Sequence, residues 1–178
     1  MPSYSRRFIK QHLHCADTAK TTADRGKAYE DLALYLFGKI PGLSHPRRNK
    51  RNKFHTEEID LAFWNDLHPA GLRSFKAIIL VECKNWSKPV GSMEVSWFIT
   101  KIRDSALDFG ILLAAKGITG NAQDRAEAHQ VVAKALKDGV RMIVITREEI
   151  EGLKASQQLV EMIKEKLCDL HVTGTVWP

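Results

Sequence analysis

No stretch of this chain approaches the ~20 consecutive apolar residues that a membrane-crossing helix needs. The basic N-terminus is not followed by the short apolar core of a secretory signal. The sequence therefore reads as having no membrane span. Cysteine is scarce, with three residues at positions 15, 83 and 168 and no Cys-x-x-Cys spacing. That excludes a disulfide framework and points to a reducing, cytoplasmic setting. His12, His14 and Cys15 lie close together, but in a short polar segment that reads as an exposed basic N-terminus rather than a zinc site. Internal repeats and low-complexity linkers are absent, which leaves one domain as the count. Acidic residues are sparse in one region in particular. Residues 1–55 hold 12 Lys and Arg against 4 Asp and Glu, whereas the remainder holds 15 against 17. A chain of net charge +6 divided in this way expects a polyanionic partner.

What is present supports a real core, since 44% of the 178 residues are hydrophobic. Residues 1–23 read as a basic extension with at most a short helix. From Asp24 to Gly38 the steps between Ala28, Leu32, Ala33, Leu36 and Phe37 predict a helix, with Glu30 on its apolar side. His45 to Lys53 is the densest charge in the chain, and its proline and asparagines predict a loop or an irregular strand. Strand patterns follow at 59–63 and 77–81, then a helix from Met93 to Leu107 with Ser92 as its N-cap. Phe109 to Ala115 reads as a buried strand, Asn121 to Lys137 as a helix, Met142 to Ile145 as a buried strand, and Glu148 to Leu167 as one final helix. Apolar strands alternating with helices predict a partly parallel sheet covered on both faces. The expected organisation is an extension over 1–23, one domain over 24–168 and a tail over 169–178.

Charge inside the strand patterns is the most informative feature. Asp60 sits in Ile59-Asp60-Leu61-Ala62-Phe63, and Glu82 and Lys84 close the run that begins at Ala77. Burying a charge costs several kcal/mol unless it is paired or bound to a metal. Side chains alternate along a strand, so Glu82 and Lys84 share one face and Cys83 takes the other. If the two strands form an antiparallel hairpin centred near Gly71, Asp60 faces Glu82 and Glu58 faces Lys84, within a residue or two of register. Two facing carboxylates form the kind of site that magnesium takes, completed by waters, and Glu30 could add a ligand directly or through water. Lys84 would then position a nucleophilic water or stabilise developing negative charge. A structural salt-bridge network is the competing explanation. Trp86 and Trp97 read as packing residues rather than base-stacking platforms.

An acid in one strand, Glu-x-Lys at the end of the next, and a preceding helix with a glutamate together resemble the PD-(D/E)xK nuclease superfamily. The closer resemblance is to its Mrr-like restriction endonuclease branch. The matching pieces are Gly26-Lys27-Ala28-Tyr29-Glu30, Glu58-Ile59-Asp60, Val81-Glu82-Cys83-Lys84, Val90-Gly91 leading into a helix, and Phe109 to Leu113. The resemblance covers about residues 24–150. It implies an α/β, restriction-endonuclease-like αβββαβ core, with a mixed central sheet flanked by helices, that cuts DNA with Mg2+ or Mn2+. It further implies Asp60 and Glu82 as metal ligands, Lys84 as the catalytic lysine and Glu30 as the helix acid.

On this reading Arg47, Arg48, Lys50, Arg51 and Lys53 form a phosphate clamp, which positions DNA without reading its sequence. Many relatives carry a separate DNA-binding domain, and 23 residues before the first helix cannot hold one. Specificity would then come from a homodimer, a partner protein or DNA structure. A role in prokaryotic defence against foreign DNA follows from the resemblance alone. Two alternatives stay open: a structure-selective nuclease such as a Holliday-junction resolvase, and a non-catalytic nucleic-acid-binding subunit. An intact Asp60, Glu82 and Lys84 set argues against the second.

Overall fold

A computed structural model describes residues 2–51, 58–120 and 128–176. The described chain runs α1 (Arg6–Thr18), α2 (Thr22–Phe37), β1 (Leu43–Arg51), β2 (Glu58–Asn65), β3 (Ile78–Lys84), α3 (Ser92–Asp104), β4 (Phe109–Ala114), α4 (Ala128–Lys137), β5 (Arg141–Ile145), α5 (Arg147–Gly152) and α6 (Ser156–Thr173). The strands form a five-stranded sheet in the order β1-β2-β3-β4-β5. β1, β2 and β3 pair antiparallel, while β3, β4 and β5 pair parallel. The sheet is thus mixed, and it is flanked by helices in the expected αβββαβ order from α2 to β4.

The β2–β3 ladder pairs Leu61 with Val81, Ala62 with Leu80, Phe63 with Ile79 and Trp64 with Ile78. This register is symmetric about Gly71, and its next step sets Asp60 against Glu82. A connection of 12 residues would ordinarily leave register loose. Asn65 removes that freedom. It is 1% exposed, and its Nδ2 donates to the Leu72 and Lys76 carbonyls at 2.8 and 3.1 Å while its Oδ1 accepts from the Leu67 N–H. Gly71 is packed so tightly that a Cβ there would meet the Pro41 carbonyl oxygen at 2.0 Å.

The sheet separates two helical layers. α2 covers the face that carries Leu61 and Phe63, with Phe37 stacked on Phe63 at 5.9 Å between centroids. α3 covers the opposite face through Val95, Phe98, Ile99 and Ile102. It sits close to β4 because Gly110 offers no side chain; a Cβ there would lie 2.5 Å from Ile102 Cδ1 and 2.8 Å from Phe98 Cζ. That approach brings the solvent side of α3 alongside the end of β3.

Of the two expectations for the basic segment, the irregular strand holds over 45–51: it lies in β1, at one edge of the sheet, with a register irregularity between Ser44 and Arg47 and positive φ at His45 and Asn49. Expectations for the helices are corrected. α3 is capped by the backbone of Gly91, and Ser92 is its first residue rather than its cap. The final helix is two helices, because Thr146 and Glu149 form a capping box that starts α5 early and Leu153 then turns extended. The helix expected from Asn121 is described from Ala128 onward, and its earlier residues lie outside the described ones. The N-terminal extension is part of the packed structure. In α1, Ile9, Leu13 and Ala16 are buried, Tyr4 Oη donates to the Leu36 carbonyl at 2.9 Å, and Asn85 Nδ2 donates to the Ala16 carbonyl at 2.7 Å. The last contact ties α1 to the residue directly after Lys84. At the other end α6 runs past residue 168, and Val176 is buried.

Candidate active site at the ends of two strands

Asp60 on β2 and Glu82 and Lys84 on β3 line one open cavity of about 720 Å³. Glu58, Trp86, Glu94, Trp97 and Lys101 line it too. Sequence spacing thus brings together the three residues that it singled out, and also Glu58 with Lys84.

Glu82 is the most deeply held of these, at 4% exposure. A carboxylate this buried requires charged partners, and it has two. Lys84 Nζ donates to its Oε1 at 2.7 Å. Lys101 Nζ, from α3, donates to Oε1 at 3.0 Å and to Oε2 at 2.9 Å. Asp60 is partly buried, and its Oδ2 accepts the Cys83 N–H at 2.8 Å, which fixes the carboxylate against β3. Burial, and then the negative charge of Glu82, push the Asp60 carboxyl up to about 6. The Cys83 N–H and the two lysines act in the other direction without cancelling that rise. Lys84 is held above the usual lysine value: burial disfavours its charge, but attraction and hydrogen bonding to Glu82 outweigh it.

Two carboxylates side by side at an open cavity match the donor set of a hard divalent cation. Magnesium takes one or two carboxylates, keeps waters and accepts substrate phosphate oxygens. Asp60 and Glu82 fit that requirement. Among the described residues no group of three or more His, Cys, Asp or Glu side chains is placed to hold a metal ion.

Glu30 does not line this cavity. It projects from α2, which covers the other face of the sheet, and its Oε2 accepts from Arg48 Nε at 2.9 Å and from Asn49 Nδ2 at 3.2 Å. Arg48 also pairs with Asp31 and donates to the Lys27 carbonyl. Arg48 is therefore engaged in fastening β1 to α2. Arg47 and Lys50 are exposed on the edge strand. Arg51 pairs through its backbone with Glu58, and Lys53 lies outside the described residues.

Lys101 was not anticipated as a site residue. A signal for it exists in the sequence: it lies three residues after Phe98 and seven after Glu94, on the flank of the apolar stripe that carries α3. Trp97 corrects the packing expectation, since it is 63% exposed beside the cavity.

Residues 25–150 match a family model, Mrr_cat, described as restriction endonuclease. The match covers well over half of the chain and includes every cavity residue named above. No curated protein matches the chain. No helix among the described residues is long and apolar enough to cross a membrane.

Proposed function

Because the chain belongs to the Mrr_cat restriction endonuclease family, a nuclease family of the PD-(D/E)xK type, we propose that it is a Mg2+- or Mn2+-dependent endodeoxyribonuclease acting in defence against foreign DNA. The observation that carries the enzymatic part is the convergence of Asp60, Glu82 and Lys84 on one open cavity. The defence role follows from family membership.

In this reading Asp60 and Glu82 hold the metal, which when bound would polarise the scissile phosphate and lower the pKa of a coordinated water. The chain's own residues do the rest. The Cys83 N–H holds Asp60 at a fixed angle, so the carboxylate need not be reorganised when the substrate arrives. Lys84 sits 2.7 Å from Glu82 on the same strand face, where its ammonium can orient a water or meet negative charge on the phosphate. Glu30 is a supporting acid that acts through Arg48 and Asn49 on the position of β1. Arg47 and Lys50, together with Arg51 and Lys53, contact phosphates and set affinity rather than sequence choice. Selectivity would come from a second copy of the chain, from a partner protein or from DNA structure.

The test is incubation of the purified protein with supercoiled, linear and branched DNA in Mg2+, Mn2+ or chelator. Nicking or linearisation that requires a divalent ion supports the proposal. Cleavage undiminished in chelator, or no cleavage of any DNA form with either metal, would overturn it.

A further inference from the structure

We propose that Lys101 is a displaceable counter-ion of Glu82 that couples metal entry to DNA binding. The proposal rests on the nuclease reading above and adds a residue and an order of events that the family match does not supply.

Lys101 bridges both oxygens of Glu82, at 3.0 and 2.9 Å, and its side chain is 17% exposed. Lys84 occupies Oε1 as well. Both oxygens that a cation would use are therefore already engaged by ammonium groups. Asp60 and Glu82 on one side, with Lys84 and Lys101 on the other, form a locally balanced set of charges; Glu58 and Glu94 line the same cavity. A divalent cation arriving alone would meet two lysines and would have to break at least one ion pair that is screened from water.

The two lysines are not equivalent. Lys84 is two residues from Glu82 on the same strand, so its reach is set by β3. Lys101 comes from a separate element, α3, lines the cavity and spans both Glu82 oxygens, whereas Lys84 meets Oε1 alone. A DNA phosphate in the cavity offers Lys101 a replacement anion. Lys101 would then transfer from Glu82 to the phosphate, leaving the Glu82 carboxylate available to hold a metal, so that metal and phosphate binding are coupled. Such coupling is reciprocal, so metal tightens DNA by the same factor by which DNA tightens metal.

The experiment is calorimetric titration of Mn2+ into the wild-type protein, Lys101→Gln and Lys101→Arg. Each is measured alone and with a short fully phosphorothioate duplex that slows cleavage. Wild type should bind Mn2+ weakly alone and more tightly with the duplex. Lys101→Gln should bind Mn2+ alone roughly tenfold tighter or better, because a unit positive charge beside the ion has gone, and should show a smaller gain from the duplex. Lys101→Arg keeps the charge and should resemble wild type. Circular dichroism on each variant shows that the fold is retained. Equal Mn2+ affinity in wild type and Lys101→Gln, or tightening in Lys101→Arg as well, would overturn the role of Lys101 and leave the nuclease reading intact. Absence of Mn2+ binding in all three proteins, with and without duplex, would overturn both.

Discussion

Trp97 presents most of its side chain to solvent beside the cavity, so its removal should cost the fold little. Trp97→Ala should leave stability within about 0.5 kcal/mol of wild type by urea denaturation. A larger loss would mean that the indole packs more than its exposure shows. Glu30→Gln should reduce cleavage only partly, because Arg48 and Asn49 can still donate to the neutral side chain. If it instead abolishes metal binding, Glu30 is a direct ligand. These residues mark where the sequence stopped being legible. Asp60, Glu82 and Lys84 could be read because charge in an apolar strand run is costly enough to demand a reason. Lys101 could not be read in the same way, since a lysine on the flank of a helical stripe usually reaches water along its own stem. Its meaning depends on how close α3 lies to β3, and that distance is set by Gly110 on a third element. Trp97 was misread because an aromatic residue within a helix pattern is usually apolar packing, and only the rotation of α3 decides which side is covered.

At the scale of elements, β1 carries most of the charge in the basic segment. The basic segment separates into two jobs. Arg48 joins β1 to α2 through Glu30 and Asp31 in a partly shielded ion pair. Arg48→Ala should cost on the order of 1–3 kcal/mol of stability, the usual range for losing hydrogen bonds between charged groups. Arg47 and Lys50 are exposed, and replacing both with alanine should leave stability nearly unchanged while weakening DNA. The slope of log K against log salt should become shallower by at most about 1.8, from about 0.9 per phosphate contact, with the cleavage pattern unaltered. An unchanged slope would assign the two residues to keeping an edge strand from pairing with other chains, for which basic residues and proline are the usual means. The attachment of α1 gives a pH test. Hydrogen bonds from Arg147 hold the Asp17 carboxyl below its usual value; burial opposes this, while Arg147, His14 and Lys116 add attraction. A depressed folded value means that the stabilisation is complete above the unfolded value of about 3.9 and is lost as pH falls through the lower folded value. Asp17→Asn should therefore be slightly less stable than wild type at pH 6 and converge with it once pH has fallen below the lowered folded value. The difference should be small, because the Asp17 side chain is about half exposed. A gap that persists at the lowest pH would mean that the contribution is packing and not charge.

Across the whole molecule the fold does one thing for the chemistry: it ends two strands at the same level and closes a helix over them. The later strands and helices were legible from apolar runs and helical periods, β1 was marked only by its charge, and the αβββαβ order followed from the family resemblance. The hairpin register was legible because symmetry about Gly71 and burial of Leu61, Phe63, Ile79 and Val81 point to the same pairing. The docking of α1 was not legible, because besides its neighbour α2 it contacts α5 and Asn85, both distant in sequence. What this assembly produces is a cavity lined by four acids and two lysines, and the central claim is that Asp60 and Glu82 hold a metal with which the protein cuts DNA. The most direct measurement is nicking of supercoiled plasmid in Mn2+ by wild type, Asp60→Ala and Glu82→Gln, with the folded state of each checked by circular dichroism. The account predicts nicking by wild type and a loss of at least about 10²-fold in both variants, the scale expected when transition-state charge stabilisation is removed. Wild-type rates from either folded variant would contradict it.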